Sequence, residues 1–305
     1  QMADGRVTHV LIESKDGLQA LAAGTVIDAT GDGLVCRRAG VPMQVSAGGM
    51  QPMSLCFLLR NVDVTTALLR DHIHHTGLHG QSKHMGIYHA LQKLAEQGED
   101  VPQFGGPWFN STMQEDLICV NITRAAANAA DRAQLTQAEC RMREDAYKLV
   151  ALLRKLYPEF AEASIAEIAA QGGVRETYHI RGLYTLSGAD ILGGAPCADG
   201  VAFCSHPVDI HSAQDNTQTA QYFDTPCPVP YRVMVAAGFD NLIAAGRCVS
   251  CVDEAYASMR VQGTCMAIGE AAGVAAAMRR ETGCAVTAVN TDDLRARLQK
   301  QGAIV

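Results

Sequence analysis

The sequence has no lysine- or arginine-rich run, and acidic residues outnumber basic ones, 32 against 25, for a formal net charge of −7. A polyanion or an anionic bilayer surface needs a basic stripe, so nucleic acid and membrane are excluded as main partners. No apolar stretch is long enough to cross a bilayer, and the opening residues lack a signal-peptide pattern. The 11 cysteines are odd in number and have no regular spacing. Most sit among apolar or small neighbours, as in Leu55-Cys56-Phe57 and Ile118-Cys119-Val120. That pattern reads as reduced, buried thiols in a cytoplasmic protein. Cys248 and Cys251 have CxxC spacing, but no thioredoxin-like helix start or second ligand pair accompanies them, so no redox or metal function is assigned. With 48% hydrophobic and 19% charged residues, the composition is that of an ordinary globular protein, and 305 residues predict two domains.

The stretch around which the rest is organised is residues 241–278, NLIAAGRCVSCVDEAYASMRVQGTCMAIGEAAGVAAAM. It predicts a short buried strand over 242–245, a turn at Gly246, a polar loop, and a small-residue helix from about Thr264. Apolar runs bounded by turns are how parallel-sheet strands read. The helix carries Ala267, Gly269, Ala271, Ala272, Gly273, Ala275, Ala276 and Ala277, so backbone can approach backbone, or a flat ligand can lie against its start. Its first turn, Gln262-Gly263-Thr264-Cys265, offers unpaired N–H groups and the positive end of the helix dipole, which suits an anion. Taken alone, this pattern fits tight helix-on-sheet packing better than a ligand site.

Three segments change that balance. NLIAAGRCVS followed by SMRVQGTCMAIGEAAG resembles the C-terminal flavin motif of a family of FAD-dependent oxidoreductases, in the flavoprotein group related to glutathione reductase and fumarate reductase. TVIDATGDG, residues 25–33, is similar to that group's Ala-Thr-Gly strand end, and GVRETYHIRGLYTLSGADIL, residues 173–192, resembles the family's central segment. The three occur in the family's order and span most of the chain. The resemblance implies an α/β fold: an incomplete Rossmann-like FAD-binding domain over 1–45 and 236–305, with an inserted α+β substrate or cap domain over 46–235. It also implies FAD as cofactor, a small-molecule substrate, and hydride transfer between an organic substrate and flavin N5.

The family's opening strand, G-x-G-x-x-G turn and helix bring backbone up to the FAD pyrophosphate. Gly31-Asp32-Gly33-Leu34-Val35-Cys36 is a near miss to that fingerprint, and the resemblance places it as the later motif. The expected partner is therefore a second chain or an N-terminal segment that carries the fingerprint, with oligomerisation open. The alternative is a non-catalytic subunit or truncated fragment that keeps the fold but binds no flavin by itself.

Flavin supplies the hydride chemistry, so the protein is asked for anion-binding and proton-handling groups rather than a nucleophile triad. The resemblance points to Thr30, Gly31, Asp32, Gly246, Arg247, Gly263, Thr264 and Cys265 for the cofactor. Arg247 is open between a pyrophosphate partner and an ordinary ion pair. Arg175, His206, Arg232 and Arg260 are the candidates at the substrate, with Glu176, Tyr178, His179, Asp209, His211 and Tyr231 behind them. Arginine offers a fork for a carboxylate, and histidine an acid or base near neutral pH. Arg175-Glu176 reads equally as a buried structural ion pair, and His206 as a satisfied core histidine. Glu254 is open between a base and a helix cap. His72, His75 and His79 share a helix face that the Thr76-Gly77 break interrupts, so they read as polar surface and no metal site is assigned.

Periodicity and turn chemistry supply the remaining elements. Strands over 6–14 and 18–23 flank a Lys15-Asp16-Gly17 turn, followed by a buried strand over 25–29 and a helix over 34–39. A strand over 54–59, an Asp63-capped helix to about 75, an amphipathic helix over 84–97 and a strand over 116–123 come next. Thr136-Gln137-Ala138-Glu139 reads as a capping box that begins the longest helix. A strand over 165–170, a Ser187-capped helix to 192, strands over 201–211 and 229–235, and a helix over 292–300 complete the pattern.

Overall fold

The computed structural model describes residues 1–66, 68, 69, 85–194 and 197–305. The cluster of His72, His75, His79 and His84, and most of the helix expected to run to 75, lie outside them. The chain groups into two compact units, one of Gln1–Gly49, Thr177–Ile210 and Ala220–Val305, the other of Met50–Glu176 and His211–Thr219.

In the first unit, β1 (His9–Ser14) and β2 (Gly17–Ala22) form an antiparallel hairpin in register from His9↔Ala22 to Ser14↔Gly17. The turn expected at Lys15-Asp16-Gly17 is there, with Lys15 and Asp16 in the loop and Gly17 already paired with Ser14 as the first residue of β2. β3 (Val26–Asp28) follows, then α1 (Leu34–Ala39), which is bounded by two left-handed glycines, Gly33 and Gly40.

The second unit contains β4 (Phe57–Arg60), α2 (Met85–Glu96), β5 (Phe104–Ser111), β6 (Leu117–Thr123), α3 (Arg132–Leu156) and β7 (Ser164–Ile168). Its strands make an antiparallel sheet in the order β7-β4-β6-β5. Alternate residues point to opposite faces of a strand. Phe57, Leu59, Ile118 and Val120 accordingly enter a core with Ile87 and Leu91 of α2 and Leu149 and Leu153 of α3. Leu58, Cys119 and Asn121, on the other face, stay partly exposed.

The longest helix does not begin at the expected capping box. Asp131 is its N-cap, and its carboxylate accepts from the N–H groups of Ala133 at 2.9 Å and Gln134 at 3.0 Å. Thr136 lies inside the helix and donates to the Arg132 carbonyl, while Glu139 accepts from the Gly172 N–H. Asp131→Ala therefore costs about 1 kcal/mol, read as a lower urea midpoint at unchanged slope.

Returning to the first unit, α4 (Gly188–Gly193) starts with a capping box of Ser187 and Asp190. β8 (Gly200–Cys204) pairs antiparallel with β9 (Cys227–Pro230), and β10 (Leu242–Ala244) pairs parallel with β3. α5 (Asp253–Met259), α6 (Gln262–Thr282) and α7 (Thr291–Lys300) end the chain. α5 occupies part of what reads as a polar loop. Ile268, Ala271, Ala272 and Ala275 of α6 pack with Val201, Val229, Ile243 and Leu294 in one core. Small side chains let that helix sit close on the strands. Residues 177–210 and 220–235, which the sequence assigns to the insert, group with the terminal segments because β8 and β9 share this core. The strand expected over 201–211 is broken into Gly200–Cys204 and Val208–His211, with Pro207, which has no N–H to give, in the gap. The strand expected over 229–235 ends at Pro230 and turns into a 3₁₀ helix, Tyr231–Val233.

Candidate functional site

β3 and β10 run side by side in the register Leu242↔Val26, Ile243↔Ile27, Ala244↔Asp28, so their carboxyl ends are adjacent. Ligands of parallel α/β sheets sit beyond such ends. Thr30 and Gly31 follow β3, and Gly246 and Arg247 follow β10. Together with Gln262, Cys265 and Met266 of α6 they line an open groove of about 670 Å³.

The loop after β3 is held by a residue that sequence reasoning did not single out. Asp28 is fully buried. Its Oδ1 accepts from the Thr30 N–H at 3.1 Å and the Thr30 hydroxyl at 2.7 Å, and its Oδ2 accepts from the Cys36 N–H at 2.8 Å. The Thr30 oxygen accepts in turn from the Leu34 N–H at 3.0 Å. One carboxylate thus fixes the Thr30 turn and satisfies an orphan donor in the first turn of α1. The available signal was an aspartate ending an apolar strand, where no solvent would reach it.

Gly31 is left-handed, with φ 79°, and the Arg247 guanidinium fills the space its Cβ would take. Both facts require glycine there. Arg247 pairs with Asp32 at 3.2 Å, and Asp32 also accepts from the Thr177 hydroxyl at 2.9 Å. The ion-pair reading of Arg247 is therefore realised, and Arg247 itself lines the groove while Asp32 does not.

At the start of α6, Val261 is the N-cap and no side chain caps the helix end. Gly263 is exposed, with open space where a Cβ would stand, and Thr264 is buried, so it offers only its backbone. Gly263 and Thr264 belong to this turn without lining the groove. Cys265 does line it, and burial pushes its thiol up against the opposing pull of Arg247, so it stays neutral beside the groove.

The CxxC pair is buried and not disulfide-bonded. Burial and the nearby Asp28 push Cys248 up to about 12, and its thiol donates to the Ala245 carbonyl. Cys251 lies 3.9 Å from Nδ1 of His179. The protonated, enclosed Cys248 thiol is a poor nucleophile and a poor metal ligand.

The four substrate candidates lie outside the groove lining. Arg175 is buried and donates to the Pro52 carbonyl and the Ser54 hydroxyl, both at 2.7 Å. Nδ1 of His206 lies 2.8 Å from the Pro207 carbonyl. Arg260 pairs with Asp209 at 2.8 Å, and its Nε is buried with no acceptor among the described residues. Arg232 grips Asp199 through Nε at 2.9 Å and Nη2 at 3.0 Å, and lies 5.1 Å over the Tyr184 ring.

Burial alone would raise the Asp199 carboxyl, but hydrogen bonds from Arg232 and Cys197 outweigh it and hold the group below its ordinary value of 3.8. A carboxyl depressed in the folded state stabilises the fold above its unfolded pKa, and that contribution is lost as pH falls through the folded value. Acid unfolding therefore includes a component below about pH 4 that is missing in Asp199→Asn.

A family model for FAD dependent oxidoreductases matches residues 1–298. The chain belongs to that family. Its cofactor is FAD, and its fold is of the mixed α/β, Rossmann-like kind. Neither curated proteins nor solved structures give a match. The groove residues fit a cofactor that carries negative charge: Gly246 has open space where a Cβ would stand, the start of α6 is uncapped, and Arg247 is a cation in the lining. No described helix is long and apolar enough to cross a membrane. Among the described residues, no group of three or more His, Cys, Asp or Glu is placed to hold a metal.

Proposed function

We propose that this chain holds the flavin and the substrate in an oxidoreductase that transfers a hydride between an organic small molecule and flavin N5. One observation carries the reading: two parallel strand ends and an uncapped helix start converge on one open groove. FAD, when bound, supplies the hydride chemistry. The chain's own residues bind and orient. Gly246 admits close approach, Gly31 makes room for the Arg247 guanidinium, Thr30 and Cys265 give the groove neutral polar edges, and Arg247, steadied by Asp32, adds positive charge to its wall. Gly263 and Thr264 contribute backbone N–H groups at the positive end of α6, which stabilise negative charge placed there. Arg260 leads on the substrate side, because it immediately precedes the cap of α6 and its buried Nε is a donor that a ligand oxygen would satisfy. Arg260 also engages Asp209, but Arg175, His206 and Arg232 are lesser candidates because none of them has a buried side-chain donor left without an acceptor. The unit that contains the groove serves as an incomplete Rossmann-like FAD-binding domain, and the other as the substrate or cap domain. A cytoplasmic location goes with this reading.

β3 has one edge without a strand partner among the described residues, and Ile27 on it is 37% exposed. Parallel sheets are normally covered on both faces and wider than two strands. This favours completion by a strand that carries G-x-G-x-x-G, from an N-terminal segment or a second chain. It also supports the second reading, a non-catalytic subunit or fragment that binds no flavin alone. The test is FAD titration of the purified chain, with and without a polypeptide carrying the fingerprint unit. Flavin absorbance retained on the protein in either setting supports the proposal, and its absence in both overturns it. Bound flavin that no organic hydride donor reduces points to the non-catalytic reading.

A further inference from the structure

The positive charge in the groove lining hangs on contacts that begin outside the groove. Arg247 lines the groove, and its Nη2 lies 3.2 Å from Oδ1 of Asp32. That same oxygen accepts from the Thr177 hydroxyl at 2.9 Å. Thr177 is buried and stays out of the lining. In the sequence it stands between the substrate candidates Glu176 and Tyr178 and shows no signal of its own.

The three residues differ in how firmly the fold holds them. Asp32 stands between two left-handed glycines, Gly31 at φ 79° and Gly33 at φ 62°. Glycine on both sides leaves the loop backbone free to turn, so the loop does not aim the Asp32 carboxylate. Arg247 is a long side chain with many rotamers, 24% exposed. A pair at such exposure keeps its geometry only where one partner is fixed from elsewhere.

Thr177 supplies that fixed point. Its β-branched side chain is stiff at χ1. The residues just after it are pinned, with His179 paired to Gln44, Ile180 paired to Met43, and the Arg181 N–H donating to the Pro42 carbonyl at 2.7 Å. Ile180 is buried with Cys36, Leu242, Ala244 and Cys248, against the strand and helix that frame the groove. The same segment abuts the glycine loop, because Met43 Cε and the Tyr178 carbonyl lie 2.8 and 3.9 Å from where a Cβ of Gly33 would stand. A rigid hydroxyl thus reaches an adjustable carboxylate, and the carboxylate reaches the groove cation.

We propose that Thr177 is a positioning residue for the cofactor, a role that rests on the groove being the flavin site. Its hydroxyl holds Asp32, and Asp32 holds the Arg247 guanidinium in the wall, where its charge is available to negative charge on FAD. Thr177 itself touches no ligand.

Thr177→Val removes the hydroxyl at nearly constant volume, and Thr177→Ser keeps it. The full chain without flavin is treated with phenylglyoxal, which modifies accessible guanidiniums, and the Arg247 peptide is followed by mass spectrometry. Arg247 reacts several-fold faster in Thr177→Val than in the wild type, and at the wild-type rate in Thr177→Ser. FAD titration of the FAD-binding assembly then gives an affinity about tenfold weaker in Thr177→Val and restored in Thr177→Ser. Adding Thr177→Val to Arg247→Gln costs no further affinity, whereas a merely structural residue would cost the same in both backgrounds. Thr177→Ala gives the same results should the valine variant not fold. An unchanged Arg247 rate in the hydroxyl-less variants, or an affinity loss that persists in Arg247→Gln, overturns the proposal. The flavin reading fails separately: if FAD does not protect wild-type Arg247 from phenylglyoxal, the groove is not its site and the cofactor role of Thr177 falls with it, whatever the rates without flavin.

Discussion

Gly263→Asp lowers FAD affinity by about thirtyfold, or about 2 kcal/mol, and abolishes flavin reduction while leaving the fold intact. Gly263 is exposed in the first turn of α6, with nothing within 4 Å of the position its Cβ would take, so the new side chain displaces nothing. A carboxylate there interacts favourably with the helix dipole, and aspartate is a better helix former than glycine, so the melting temperature holds or rises. The same carboxylate repels an anionic ligand group drawn to the helix start. Stability and binding thus move in opposite directions, a result that general damage would not produce. Gly263→Ala adds volume without charge and retains affinity. Fluorescence titration of FAD against the FAD-binding assembly reads the effect, and equal affinities for Gly263→Asp and Gly263→Ala would remove the helix start from the site.

The largest stability effect is expected at Asp28. Asp28→Ala strips the acceptors from the Thr30 N–H, the Thr30 hydroxyl and the Cys36 N–H, at a position with no exposed surface. Removing one partner from such a buried network costs about 3–5 kcal/mol, a large share of the roughly 5–15 kcal/mol that a typical fold has. Asp28→Asn keeps the shape and one acceptor but turns an amide donor toward another donor, so it falls between the two. Urea denaturation reads both. FAD affinity falls in parallel in any Asp28→Ala protein that remains folded, because Thr30 and Gly31 lose their anchor. A wild-type midpoint in Asp28→Ala would show that the carboxylate does not hold the loop.

The pieces of the site that were legible in sequence are those made by near neighbours. Alternation and the Lys15-Asp16-Gly17 turn signal placed the β1–β2 hairpin, an apolar run ending in Gly246 placed β10, and the glycines at 33 and 40 flank the helix read over 34–39. The small-residue helix was legible too, although it begins at Gln262 rather than Thr264. The start of α3 was misread because Asp131 and Thr136 carry similar capping chemistry. What separates them is the use of Glu139, which goes to Gly172, 33 residues away.

By itself, the amino-acid order determined most of the local elements and the family to which they add up. Hydrophobic period, glycine placement and capping act over a few residues and need no knowledge of what lies across the molecule. Only the tertiary structure decided where each charge goes. Arg260 meets Asp209, Arg232 meets Asp199 and Arg247 meets Asp32, across 51, 33 and 215 residues. An arginine free to bind a ligand and one already paired have the same local sequence. The difference is a carboxylate carried past it by folding, because a buried or half-buried charge is tolerated only where a partner arrives.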